Sequence, residues 1–484
     1  MTGTISATDG LPGPHMAAPR LKGAMGPAAL MLAVLAFSAP MAVVEGFIPY
    51  AIRFGGPGAV FAFALTTGIL ILFALGYIAM TRRMTVPGNF HAVITAGLGR
   101  EAGLGAAFLA IFGYLCVLGG NYVFFGISVS GLVSSFGGPE SHWLAWSLAG
   151  LAAATILGHF NIEFSARILT WAMAVEVLIV AIFCIAVFAR GGAEGLSAAP
   201  FAPGTFLQGN MAVTLLFTIL VFLGFEATAL FRDEVRDPDR TIPRATYGAV
   251  IFIGLLYVAA SYAMVSAHGA SAWQVATEDP VSMFPDAIGA FVHPVFKQLA
   301  YGSVVLSIFA ASVSIHNVAA RYILALAALR ALPGLLAAVH ARHVSPHMAS
   351  AAVGTIAGLT VLGTCLGGID GTAAYAVVIG IGAIAIIALM GLASFAVTGW
   401  FLKTGIPAEE GAFRAVVAPG IAGAVLAGTV AFACLNLEYL VGGAPGQSDW
   451  ILLVLAAVFL AGTGAAGWFR LRHPRIYAGL GGAG

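Results

Sequence analysis

The chain has 484 residues, 60% hydrophobic and 8% charged, with a formal net charge of +1. A soluble domain carries about 25% charged residues, so a fold of this size solvated by water is excluded, and the mean hydropathy of +0.99 makes lipid the main solvent. The near-zero charge balance gives no handle for a nucleic acid, and the four cysteines, Cys116, Cys184, Cys365 and Cys434, sit singly inside apolar runs, without the spacing of a disulfide framework or zinc ribbon.

Residues 1–24 are rich in Gly, Pro and Ala, contain Arg20 and Lys22, and read as a disordered tail with no signal peptide. Apolar runs follow at 25–52, 56–80, 102–135, 143–160, 164–189, 208–231, 245–266, 292–326, 348–367, 372–402, 413–436 and 450–470. A spanning helix needs about 20 apolar residues, and barrel strands would alternate over about 10. These runs are long and do not alternate, so the expected architecture is an all-α polytopic membrane protein of about twelve transmembrane helices.

Lysine and arginine are retained on the cytoplasmic side of a membrane. With the N-terminus inside, the inner segments hold Arg20, Lys22, Arg82, Arg83, Arg100, Arg167, Arg232, Arg236, Arg240, Arg244, Arg321, Arg330, Arg342, Lys403, Arg414, Arg470, Arg472 and Arg475, leaving Arg53, Arg190 and Lys297 outside. That is 18 of 21, and a wrong helix count would scramble it. Both termini are therefore expected in the cytoplasm, the bilayer being the plasma membrane of a bacterium. Two spans carry breaking residues. The first has Ser38, Pro40, Glu45, Gly46 and Pro49; the sixth has Gly224 and Glu226. Matched breaks five helices apart point to an inverted-repeat transporter with its site near the midplane, whereas prolines alone would only kink the helix.

The run Phe222-Leu-Gly224-Phe-Glu226, continued by Asp233-Glu234-Val-Arg236-Asp-Pro238-Asp-Arg240-Thr241-Ile-Pro243-Arg244-Ala245, resembles the amino acid–polyamine–organocation superfamily. His316-Asn317-Val-Ala-Ala-Arg321-Tyr322 and Gly76-Tyr77-Ile-Ala-Met80 extend the similarity, which is strongest to the branch of putrescine and amino acid importers. The resemblance implies a LeuT-like core. Residues 25–189 would form one inverted repeat and 190–402 the second, with two further helices over 403–470 and a tail from 471 to 484. It also implies a substrate held between the broken first helix (38–46) and sixth helix (223–227), against the third, eighth and tenth.

On that reading Ala42, Glu45, Gly46, Tyr114, Asn121, Phe222, Gly224, Phe225 and Glu226 are the expected substrate-binding residues; Tyr114 and Asn121 lie seven apart and share a helix face. An ionised carboxylate at bilayer depth costs about 2.5–3.5 kcal/mol on insertion scales. Glu226 therefore either takes up a proton during transport or makes a structural hydrogen bond between helices. Glu45 stands where the family usually has a small or apolar residue. It would match a cationic substrate, carry a proton, or turn outward to pair with Arg53. Glu176 reads as structural, with a weaker claim to a cation site. Glu234, Arg236, Arg240 and Arg244 alternate in sign with their neighbours and read as an inner gate or as a solvated hairpin. Ser312, Ser314 and Asn317 offer oxygen to a sodium ion, or hydrogen bonds to adjacent helices. His340, His343 and His347 have zinc-like spacing, but Pro346 interrupts them and no cysteine or carboxylate is near, so no metal is expected.

There is no Gly-Lys dipeptide for a phosphate-binding loop, no HExxH and no GxSxG. The expected function is a non-enzymatic secondary transporter that imports an amino acid or polyamine. Protons are the expected coupling ion and sodium the alternative; no cofactor, nucleotide or nucleic acid is expected, and the assembly is a monomer or homodimer. The competing readings are an exchanger, a sodium symporter, and, more distantly, a channel or sensor, for which no filter ring or output domain is evident.

Overall fold

The computed structural model describes residues 26–28, 30–31, 38–84, 90–160, 166–225, 235–340, 343, 345–442, 446 and 448–480, the side chains of 166–170 excepted. The main helices are α1 (Pro40–Gly46), α2 (Ile48–Gly55), α3 (Ala59–Thr81), α4 (Phe90–Leu98), α5 (Arg100–Ser135), α6 (Trp143–His159), α7 (Ala166–Arg190), α8 (Met211–Leu220), α9 (Pro238–His268), α10 (Ala272–Glu278), α11 (Met283–Phe291), α12 (Val295–Ala328), α13 (His347–Leu366), α14 (Gly371–Thr404), α15 (Ala418–Cys434), α16 (Trp450–Arg472) and α17 (Pro474–Gly479). Helices dominate because hydrocarbon offers no partner for a bare peptide group, and a helix pairs them internally.

Nine helical stretches among the described residues are long and apolar enough to cross a membrane. The first, Pro40–Thr81, contains α1, α2 and α3 with a turn at Gly56–Gly58. There Gly56 takes φ +58°, and a Cβ would stand 2.7 Å from the Trp273 ring, so only glycine fits. Two shorter apolar helices, α6 and α8, complete the set. The chain is an all-α polytopic membrane protein. The long helix α5 is its spine, packing against α6, α12, α14 and α16.

Three features depart from the expected runs. Helix α4 buries Phe90, Val93, Ile94 and Gly97 and packs against α5 and α14; nine residues are too few to span, so hydropathy gives it no signature. Helix α9 starts at Pro238 rather than 245, because its first turns are polar and a membrane-scale window ignores them. In the expected C-terminal tail, α17 folds back so that the Tyr477 hydroxyl donates to Glu101 at 2.8 Å.

Candidate functional site

The first helix is broken by its own sequence. Pro40 has no N–H and its ring would clash with the preceding turn, so the helix restarts with Pro40 at its first position after Ala39, a non-glycine residue at φ +44°. Pro49 cannot donate to the Glu45 carbonyl, and the chain bends at Phe47 (φ −115°, ψ −42°) between α1 and α2. The Gly46 carbonyl turns aside to accept from the Tyr375 hydroxyl at 2.8 Å. In the sixth expected span, α8 ends at Leu220 and the chain continues through turns to Gly224 at φ +107°; the residues after Phe225, up to 234, lie outside those described.

A cavity of about 50 Å³ lies where these segments meet. Its walls are Ser38, Ala39, Ala42, Val43 and Phe47 on the first helix, Val117 and Asn121 on α5, Leu220, Val221 and Leu223 after α8, and Ile308, Ala311 and Ile315 on α12. That is room for one or two waters. An aromatic layer adjoins it. Tyr50 stacks on Phe217 with centroids 5.7 Å apart and meets Tyr375 edge-on at 4.9 Å, while Phe124 stacks on Tyr375 at 4.8 Å. Gly46 is needed here: a Cβ would lie 2.8 Å from the Phe124 ring and 3.1 Å from the Tyr375 oxygen. Ser38 and Tyr257 share a hydrogen bond of 2.7 Å that ties the break to α9.

Of the expected substrate residues, Ala42 and Asn121 line the cavity. Glu45 and Gly46 lie within helical turns of α1, not in unwound chain, because the two prolines place the interruptions at Ala39 and Phe47 on either side of them. Tyr114, Phe222, Gly224 and Phe225 are not among the cavity's wall residues. Tyr114 packs on Tyr322 at 5.7 Å, and Phe225 meets Phe73 edge-on at 5.7 Å. Glu226 and Glu234 lie outside the described residues.

Glu45 is 1% exposed, and neither carboxyl oxygen has a hydrogen-bond partner among the described residues. Arg53 stands instead with its guanidinium 5.9 Å from the centre of the Phe54 ring. Glu176, read on sequence as structural, bonds across the break. One of its oxygens, Oε2, accepts from the Met41 amide at 3.1 Å and from the Ser307 hydroxyl at 2.9 Å, joining α7 to α1 and α12. A glutamate amid 20 apolar residues signalled a buried polar contact, but only the fold names its partners.

The Ser312 and Ser314 hydroxyls donate to Ile308 and Ala310 carbonyls of their own helix, at 2.7 and 3.0 Å. His316 turns toward α13, its Nε2 lying 2.9 Å from the Ser350 hydroxyl. At the arginine-rich end, Arg240 and Asp237 pair at 3.7 Å, and the Arg236 carbonyl accepts from the Thr241 hydroxyl; Arg236, Arg240 and Arg244 are exposed. A stronger ionic contact at this end was not foreseen: Arg83 meets Glu410 at 2.7 Å, fastening the end of α3 to the segment after α14. The sequence hid it because its partners lie 327 residues apart.

Residues 33–473 match the family model described as amino acid permease. The chain is 25% identical over 229 residues to a probable GABA permease of Pseudomonas aeruginosa, covering 45% of this chain and 47% of that protein. It is 23% identical over 319 residues to the branched-chain amino acid permease BcaP of Bacillus subtilis, 63% of this chain and 67% of the relative. It is 26% identical over 235 residues to the low-affinity putrescine importer PlaP of Escherichia coli, 47% and 50% respectively. These matched stretches thus span about half to two thirds of each relative. With the family model covering nearly the whole length, the chain belongs to the amino acid permease family.

Proposed function

We propose that this protein is a secondary transporter that imports an amino acid or a polyamine by alternating access, with protons as the driving ion. The observation that carries the reading is the cavity where the interrupted first helix meets the end of α8, enclosed by α5 and α12 and adjoined by an aromatic layer. A site that must open to each side in turn has a contracted intermediate, and about 50 Å³ fits that stage. The names of the relatives, which speak of GABA, branched-chain amino acids and putrescine, support a small amine-bearing solute. The proposal includes the inverted-repeat organisation, rocking of one bundle against the scaffold, a bacterial cytoplasmic membrane, and both termini in the cytoplasm.

Proton coupling rests on Glu45. A carboxylate ion without a donor is strongly disfavoured in an apolar interior. The group would therefore sit there as the neutral acid and release its proton when the helix moves and water enters. Glu226 is proposed as a second coupling group from its place in the sequence. Sodium coupling is the alternative: the Ser312 and Ser314 hydroxyls donate to their own helix, which leaves their oxygen lone pairs to offer. The test is uptake of labelled putrescine, arginine, glutamate and alanine into proteoliposomes, with and without an inward proton gradient. Saturable accumulation of at least one solute that collapses with the gradient is expected. Gradient-independent accumulation, or flux that does not saturate, would overturn the reading.

A further inference from the structure

Three basic side chains are expected at the arginine-poor end of the molecule, and the structure bonds two of them. Lys297 pairs with Asp286, and the Arg190 guanidinium donates to the Ala290 carbonyl at 3.1 Å. The third, Arg53 at the end of α2, is half-buried, and its guanidinium has no hydrogen-bond or ion-pair partner among the described residues. Arg53 lines a hollow of about 420 Å³, far larger than the central cavity of about 50 Å³. The carboxamides of Gln208, Asn210 and Asn436 share the wall with Trp273 and Tyr439, and no aspartate or glutamate is among its described residues. The Asn210 oxygen caps α8 by accepting from the Val213 amide, which leaves its amino group to donate. Asn436 donates to the Phe432 carbonyl, which leaves its oxygen to accept. The hollow lies where a spanning helix stops, since α15 ends at Cys434. Phe432 and Tyr439 of the wall, and Leu435 between them in sequence, are 42, 59 and 78% exposed.

We propose that this hollow binds one anionic phospholipid with a hydroxylated headgroup, of the phosphatidylglycerol class, its phosphate on Arg53. A guanidinium is planar, always charged, and matches phosphate through two parallel N–H···O bonds. Half-buried, it is poorly solvated and gains more from such a partner than an exposed cation does. The carboxamide donors and acceptors suit hydroxyl groups. A choline or ethanolamine head would instead bring an ammonium beside Arg53, with no carboxylate in the described wall to receive it. Tryptophan and tyrosine concentrate where membrane meets water, which fits Trp273 and Tyr439 to headgroup depth. The acyl chains would cover Phe432 and Leu435, apolar surface that a water-soluble phosphate would leave bare. The Asn210 amide donates to the Phe54 carbonyl at 2.8 Å, and the Trp273 indole to the Arg53 carbonyl at 2.9 Å, so the wall is fastened to the end of α2. A lipid seated there would brace the second half of the broken first helix against α15.

The test uses the full chain, purified in detergent, delipidated, and titrated with dioctanoyl phosphatidylglycerol while bound lipid is counted by intact mass spectrometry. One tightly held lipid per chain is expected, bound about tenfold more tightly than dioctanoyl phosphatidylcholine and about tenfold more weakly by Arg53→Gln, the scale of one charge-assisted contact. Arg190→Gln should bind as the unmodified chain does, and water-soluble glycerophosphate at the same concentration should displace nothing. The preference between the two lipids is read on the unmodified protein and needs no variant to fold. Equal binding of the two lipids, unchanged binding by Arg53→Gln, an equal loss in Arg190→Gln, or displacement by glycerophosphate would overturn the proposal.

Discussion

Among the described residues, Glu45 and Glu176 lie buried within the apolar helices, and they are bonded differently. Glu176 reaches the start of α1 and accepts from two donors on two other helices. Glu45 sits one turn further along the same short helix, more deeply buried still, with both oxygens unpartnered among the described residues. Burial therefore does not separate them; donors do. A carboxyl group that satisfies an orphan amide and a hydroxyl stabilises the arrangement it bridges. One with no donor destabilises the packed interior in its charged form.

The largest expected effect is on transport. Glu45→Gln should abolish the pH dependence of uptake and cut gradient-driven accumulation at least tenfold, while solute exchange at equal pH persists. Full accumulation with unchanged pH dependence would remove Glu45 from the coupling role. Next comes stability. Glu176→Ala leaves the Met41 amide and the Ser307 hydroxyl without a partner in a dry site, at a cost of about 2–4 kcal/mol. Glu45→Leu removes no hydrogen bond and should leave the thermal midpoint unchanged or raise it. Scanning both variants in one detergent tests the contrast, and equal losses would erase it.

Gly46→Ala probes the aromatic layer beside Glu45. Its methyl group must displace the Phe124 ring or the Tyr375 hydroxyl, at about 1–3 kcal/mol, and should slow uptake before it lowers stability. The smallest effect is expected at a third carboxylate, outside the membrane. Asp370 caps α14, accepting from the Thr372 hydroxyl and the Thr372 and Ala373 amides. Burial pushes its pKa up, but those hydrogen bonds outweigh it and hold the group below the usual carboxylate range. Asp370→Ala should cost about 1 kcal/mol. Because the folded value is the lower one, that contribution is present above the unfolded value and fades as pH falls through the folded value. A loss that persisted unchanged in acid would contradict the capping role.

Much of the fold was legible. Some apolar runs anticipated the spanning helices to within a few residues, as at 102–135 against Arg100–Ser135 and 372–402 against Gly371–Thr404, while 208–231 holds a helix that ends at Leu220. Pro40 and Pro49 marked where the first helix stops and bends, since proline removes a donor whatever surrounds it. The site was legible only in part. Ala42 and Asn121 were foreseen in the wall; Val43, Leu220, Val221 and Ile308 were not, because an apolar cavity wall has the composition of any core.

The chain's own chemistry determined that it lives in lipid, that it is helical, where its helices begin and break, and which few charges are buried. Those follow from apolar content and missing N–H groups, properties each segment has alone. Tertiary structure decided which buried carboxyl finds donors, that Tyr375 closes over Gly46, and that His159 joins three histidines about 180 residues downstream. Those contacts depend on how helices far apart in sequence cross, and no local pattern encodes that.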